Sequence, residues 1–145
     1  MKVEVGKAKK EDFEDYYELK KLECAENTKL MGELIEVPPK LKEDFLETIS
    51  GKEEVILFAK NEKVEGYIRF SFFDNFVYID DIFVKEELRK KGIASKLIEE
   101  IFKIAKEKKL EKVRLGVLIN NQNAINLYKK LGFDFRRYEM EKELK

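Results

Sequence analysis

Arg89-Lys90-Lys91-Gly92-Ile93-Ala94 follows an apolar run over residues 76–84 and opens a long amphipathic stretch. Downstream comes Asn121-Gln122-Asn123-Ala124-Ile125-Asn126-Leu127-Tyr128-Lys129-Lys130-Leu131-Gly132-Phe133. The first segment reads as a pyrophosphate cradle. Backbone N–H groups at a helix start carry positive partial charge, cationic side chains stand beside them, and Gly92 and Ala94 leave room for a ligand. The second segment places an Asn-rich entry and a tyrosine on one short helix that stops at Gly132. Each alone is a weak signal; in this order and spacing they constrain each other.

Working outward, the middle of the chain reads as a strand meander. Residues 55–59 form one strand, Asn61-Glu62 a turn, residues 64–73 a hairpin partner, Asp74-Asn75 a second turn, and residues 76–84 a third strand. A helix is expected within 88–109, where Ile93, Leu97, Ile98, Ile101, Phe102 and Ala105 recur on one face. Residues 113–119 read as a buried strand, 123–131 as a short helix, and 133–144 as a final strand. In that final strand the apolar positions change parity, from Phe133 and Phe135 to Tyr138, Met140 and Leu144, which predicts a bulge near Arg136-Arg137. Towards the N-terminus, Val3, Val5 and Ala8 mark a first strand. Residues 11–27 read as a helix with Phe13, Tyr16, Tyr17, Leu19 and Leu22 on its apolar side, and residues 30–37 as a short helix or turn. After Pro38-Pro39, residues 41–49 form a helix stopped near Gly51. The order is α+β: a mixed α/β chain with one sheet and helices on both faces, in a single domain over 1–145.

Composition removes several classes of function. Formal net charge is zero, so no bulk field draws the chain to nucleic acid or an anionic membrane. No apolar run approaches the roughly 20 residues of a membrane span, and no signal-peptide core is present, so the expected location is the cytoplasm. The chain has no His and one Cys, which excludes Ser-His-Asp and Cys-His catalysis, His-ligated metal and a thiolate zinc cluster. No metal is expected. Proton transfer falls to carboxylates, tyrosine, lysine, the N-terminus, the thiol or water. Cys24, between Leu22 and Ala25 on a helix, reads as a buried structural thiol. Many Lys and Glu with one Gln, Gln122, give a thermophile-like composition.

Arg89-x-x-Gly92-x-Ala94 followed by Asn121-x-x-Ala124-x-x-x-Tyr128-x-x-x-Gly132-Phe133 resembles the GCN5-related N-acetyltransferases, from Val55 to the C-terminus. The N-terminal third fits in outline. The resemblance implies a central, mostly antiparallel mixed sheet flanked by helices, acetyl-CoA as co-substrate, an amine acceptor and a possible homodimer. It implies that the backbone of Ile82, Phe83 and Val84 pairs with the pantetheine arm as an added strand. The pyrophosphate would lie on Arg89, Lys90, Lys91, Gly92, Ile93, Ala94 and Ser95, with Asn121 and Asn123 contacting the arm or the diphosphate. Tyr128 would be the general acid at the departing thiolate. The alternatives to these roles are a helix N-cap for Asn121 and packing beside Leu127 and Leu131 for Tyr128.

The run Tyr78-Ile79-Asp80-Asp81-Ile82-Phe83-Val84 resembles the diamine and polyamine branch of that family, which carries a similar acidic pair. Asp80 is the candidate base or ammonium anchor, and Asp81 a second substrate-binding carboxylate. On a regular strand they face opposite ways; a bulge would turn both to one side. A carboxylate near pKa 3.9 is a poor direct base for an ammonium near 10, which favours relay through water. Three functions fit: acetyl transfer to a polyamine, diamine or lysine-like amine; acetylation of a protein N-terminus or lysine; and, in another class, a non-catalytic acyl-CoA-binding regulatory domain.

Overall fold

A computed structural model describes residues 2–145. Five strands run in chain order across one sheet: β1 (Glu4–Lys7), β2 (Glu54–Asn61), β3 (Lys63–Phe72), β4 (Phe76–Val84) and β5 (Lys112–Leu115). The first four are antiparallel neighbours, β2 to β3 and β3 to β4 through tight turns at 62 and 73–75; β4 and β5 are parallel, because α3 (Ile93–Glu107) crosses between them. The mixed, mostly antiparallel sheet with helices on both faces is therefore as the sequence predicts.

Two cores hold the layers together. On one face Leu57, Ile68, Phe70, Val77, Ile79 and Val84 meet Ile93, Leu97, Ile98 and Ile101 of α3, with Tyr128 of α4 (Gln122–Lys130) and Leu131 just after it along the margin. On the other, Ile56, Phe58, Val64, Tyr67 and Phe83 meet Tyr16 and Leu19 of α1 (Phe13–Met31) and Leu41 and Phe45 of α2 (Leu41–Ser50). The Tyr16 ring stacks on Phe45 at 5.0 Å and meets Tyr67 edge-on at 5.0 Å.

The strand β4 changes parity in mid-course. Arg69 pairs with Asp81 and Phe70 with Ile79, so Asp80 is an extra residue without a partner on β3. Before this bulge Val77 and Ile79 face α3; after it Ile82 and Val84 do. The β4–β5 ladder ends at Ile79↔Leu115, at the bulge. Among the described residues no strand covers the β4 edge beyond that point.

Several expectations change. The helix within 88–109 begins only at Ile93, after a single 3₁₀ turn over Glu86–Leu88. The fifth strand stops at Leu115, because Gly116 and the residues after it leave the sheet where β4 bends away. α1 runs on to Met31 and ends at Gly32, whose φ of 74° terminates it, so residues 33–37 form no further helix. Leu22 lies on the solvent side of α1, 50% exposed. Residues 133–144 form no strand: they lie alongside no other strand, and an isolated strand cannot satisfy its own backbone. The bulge expected at Arg136-Arg137 has no ladder to sit in.

Where β3 and β4 are closest, a Cβ at Gly66 would lie 2.9 Å from the Phe83 carbonyl oxygen and 3.1 Å from Val84 Cγ2. Gly66→Ala should therefore cost roughly 1–3 kcal/mol through overpacking, seen as a lower urea midpoint with an unchanged slope.

Candidate active site

The uncovered edge of β4 offers a defined set of backbone groups. The Lys85 N–H donates to the Glu65 carbonyl at 3.2 Å, and Phe83 stands opposite Tyr67 in the same register. In an antiparallel ladder the bonded pairs alternate, so the N–H and C=O of Phe83 point to β3. Those of Ile82 and Val84 point out from the sheet edge. The resemblance implied a ligand role for all three backbones, but that of Phe83 is taken up by β3. The Val84 carbonyl accepts from Arg89 Nε at 2.9 Å. The Ile82 N–H, the Ile82 carbonyl and the Val84 N–H are left to receive an extended, amide-bearing chain.

The edge leads to the α3 N-terminus. Lys90 and Gly92 both have positive φ, 65° and 85°, which curls the backbone before the helix. No side chain among the described residues caps α3, and its first bond runs from the Lys96 N–H to the Gly92 carbonyl. The N–H groups of Ile93, Ala94 and Ser95 thus project from the helix end as a ready anion seat. A Cβ at Gly92 would meet no protein atom within 4 Å, so the backbone is open to a ligand there. Lys90 and Lys91 are exposed, while the Ile93 side chain is buried in the core beneath. Arg89 points the other way: its Nη2 pairs with Glu26 Oε2 at 2.7 Å and its guanidinium lies 5.2 Å over the Phe83 ring. Arg89 fastens this loop to α1 and does not reach outward as expected.

On the α1 face the bulge brings both acidic residues together. Asp81 Oδ2 accepts from Arg69 Nε at 2.8 Å and pairs with Arg69 Nη2 at 2.7 Å and Lys20 Nζ at 3.3 Å. Asp80 accepts from Ser71 Oγ at 2.7 Å, with Arg69 Nη1 at 4.0 Å. Lys20 also donates to Tyr67 Oη at 2.9 Å and to Glu23 Oε1 at 3.0 Å, and Tyr67 donates to the same Glu23 oxygen. Glu54 Oε1 completes the set at 2.7 Å from Arg69 Nη1. Two cations, Lys20 and Arg69, thus face four carboxylates, Glu23, Glu54, Asp80 and Asp81. Burial tends to raise the Asp81 carboxyl, but Lys20 and Arg69 outweigh it and hold the pKa below the ordinary value. For Glu23 desolvation wins and the pKa is raised. The Tyr67 phenol, buried beside these carboxylates, is pushed well above its usual value.

Tyr128 lies half-buried on α4, its ring 5.8 Å from Phe133 at a steep angle, and burial pushes its phenol up to about 12. Asn121 caps α4, its Oδ1 accepting from the Ala124 N–H at 3.3 Å, while Asn123 is exposed on the first turn. Asn120 ties this loop to the Leu30 carbonyl at the end of α1.

The family model described as "Acetyltransferase (GNAT) family" matches residues 12–133. The chain belongs to this family. A thialysine N-epsilon-acetyltransferase of Bos taurus is 45% identical over 56 residues, a segment that makes up 39% of this chain and 33% of the bovine protein. The match thus spans a third of that relative's length. Among solved structures, a PaiA N-acetyltransferase from Thermoplasma acidophilum in complex with coenzyme A superposes with a TM-score of 0.82 at 24% identity, covering 96% of this chain and 94% of that one. A mutant of the BH1408 protein from Bacillus halodurans reaches 0.86 at 22% identity, covering 97% and 99%. At such identities the likeness to solved structures is one of fold.

Lys20, Glu23, Tyr67 and Arg69 were not among the sequence-derived site residues of this GNAT chain. Lys20 stands four positions after Tyr16 and Glu23 four after Leu19, on the helix stripe that faces the sheet. Charges inside an apolar stripe were the available signal. Asp81→Asn would leave Lys20 and Arg69 short of a partner. A fully buried pair broken this way costs about 3–5 kcal/mol; with 21% of the Asp81 side chain exposed, roughly 2–3 kcal/mol is expected at pH 7. Because the folded pKa of Asp81 is depressed, its contribution is complete above the unfolded value near 3.9 and is lost as pH falls through the lower folded one. Urea titrations of wild type and variant should therefore converge only in that acid window.

Proposed function

We propose that the chain is a single N-acetyltransferase domain that moves the acetyl group of acetyl-CoA to a primary amine by direct attack in a ternary complex. The observation that carries this reading is the continuity of the uncovered β4 edge with the uncapped α3 N-terminus: one seats an extended amide chain, the other a pyrophosphate. Lys90 and Lys91 add cationic reach beside the phosphates, and Asn121 and Asn123 flank the arm from the α4 side.

The amine nitrogen attacks the thioester carbonyl carbon, the C–S bond breaks, and the sulfur departs as thiolate. An N–H on the Ile82 or Val84 edge polarises the carbonyl, and alignment of the two substrates supplies much of the acceleration. Tyr128 serves the leaving sulfur. Its phenol near 12 stands about 3.5 units above a thiol of about 8.5, so complete proton transfer would be uphill by roughly 5 kcal/mol. Tyr128 therefore stabilises the thiolate by hydrogen bonding, with the proton retained on oxygen until the sulfur finds another donor.

The acceptor side favours a cationic amine, because its carboxylates outnumber its cations. Asp80 is the ammonium anchor: its neighbour Asp81 is already neutralised by Lys20 and Arg69, while Asp80 has only a hydroxyl within bonding distance. Glu23, its carboxyl raised by burial, is better matched than Asp81, whose carboxyl is held down, to take the proton that the ammonium must lose, directly or through water. Small polyamines, diamines and lysine-like amines fit this arrangement, and the similarity to the bovine thialysine N-epsilon-acetyltransferase supports it.

Thiol release from acetyl-CoA should be measured across spermidine, putrescine, lysine analogues and short peptides. Turnover on the small amines is expected; turnover on peptides alone would replace them with a protein acceptor, and binding without turnover would leave a non-catalytic acyl-CoA domain. Tyr128→Phe should lower kcat about 100-fold with little change in acetyl-CoA affinity. Asp80→Asn should act mainly on the amine KM, whereas Glu23→Gln should lower kcat and remove the acid limb of its pH profile, since only the ionised carboxylate accepts the proton.

A further inference from the structure

The core beneath α1 and α2 takes in Ile56, Phe58, Val64, Tyr67 and Phe83, but no residue of 68–81 and none of β5. Beyond Asp80 this face of the sheet therefore continues without apolar packing from either helix. Ser71, Tyr78 and Arg114 stand side by side on it, as the strand registers place them, and all three are half-buried. Ser71 Oγ donates to Asp80, so the row leads directly on from the acidic pair. The next row holds Phe76 and Lys112, with Phe73 stacked on Phe76 at 4.9 Å.

Arg114 is the unanswered charge of this strip. Arg69 and Arg89 each grip a carboxylate. The Arg114 guanidinium instead lies 4.2 Å over the Phe76 ring, and its Nε is buried without a hydrogen-bond partner, the only such side-chain atom among the described residues. A buried donor left without an acceptor is costly, and a carboxylate is the partner that matches the guanidinium fork. Tyr78, the ladder partner of Arg114, turns the opposite way. A Cβ at Gly116 would lie 3.1 Å from Tyr78 Oη, so the phenol runs towards the acidic pair while the guanidinium runs away from it. From Asp80 back to Phe76 is four strand residues, about 13 Å. An extended lysine, hydrogen-bonded at its side-chain amine and at its carboxylate, covers a span of that order.

We propose that Arg114 is a specificity-determining residue of the acceptor site, binding the carboxylate of an amine whose ammonium end lies at Asp80. The inference rests on the transferase reading above and narrows its acceptor to a lysine-like amino acid. A diamine or polyamine laid along the same strip would bring its second ammonium to Arg114 and Lys112, where like charges repel. Tyr78 and Phe76 form the floor between the two charged ends, beneath the aliphatic part of the acceptor.

Initial rates of acetyl transfer to lysine, lysinamide and cadaverine test this. Lysinamide replaces the carboxylate with a neutral amide, and cadaverine lacks the group altogether. The wild type is expected to favour lysine over either by at least about 10-fold in kcat/KM. Arg114→Gln should erase that preference by raising the KM for lysine with little change in kcat. Arg114→Lys, which keeps the charge without the fork, should retain part of it. Equal use of lysine and lysinamide by the wild type would overturn the proposal. So would an Arg114→Gln variant that loses both amines alike, which marks a structural role. Turnover of cadaverine without lysine would leave the transferase standing and remove the carboxylate site. Turnover of none of the three would count against the transferase reading itself, and the proposal falls with it.

Discussion

One extra residue, Asp80, governs the shape of the site. Inserting it into β4 shifts the parity of that strand, so Val77 and Ile79 hand over the α3 core to Ile82 and Val84 without a gap in packing. The same insertion bends β4 and ends its pairing with β5 at Ile79↔Leu115. It turns Asp80 and Asp81 to the α1 face together, where a regular strand would separate them. An open backbone edge and a shared acidic face therefore follow from a single irregularity.

The acidic face is costly to build. Lys20, Glu23, Arg69 and Asp81 are largely withdrawn from water, and a hydrophobic core of equal volume would be no less stable. What such a cluster provides is fixed charge in fixed positions. Arg69 grips Asp81 and Glu54 with separate nitrogens, Lys20 bridges Asp81, Glu23 and Tyr67, and each side chain is oriented by the next. The cluster joins α1 to β2, β3 and β4 across the second core, and its surplus of carboxylates leaves an amine with a charge to answer.

Much of the fold was legible because its signals are local. The meander follows from short turns between apolar runs, and α3 from its periodic stripe. The bulge at the acidic pair was implied by the family resemblance, because residues 76–79 and 82–84 are all apolar and show no parity of their own. Parity in the final segment gave a strand and a bulge that the chain does not form, because parity describes a strand's faces but not whether an edge is present to receive it. The direction of Arg89 was equally hidden: basic residues next to an anion seat look alike in sequence, and only Glu26 and the Val84 carbonyl decide that this one turns inward. Lys20 and Glu23 carry a weak signal in the sequence, since only their spacing from Tyr16 and Leu19 separates them from the solvated charges of the same helix.

On the proposed function, the β4 edge beyond the bulge receives the acyl donor as an additional strand. Residue-resolved amide hydrogen exchange with and without acetyl-CoA is the measurement that decides this. New protection is expected at the Ile82 and Val84 amides and at Ile93 to Ser95, with Phe83 already protected by β3 and unchanged. Bound acetyl-CoA that leaves Ile82 and Val84 exchanging as before would contradict it.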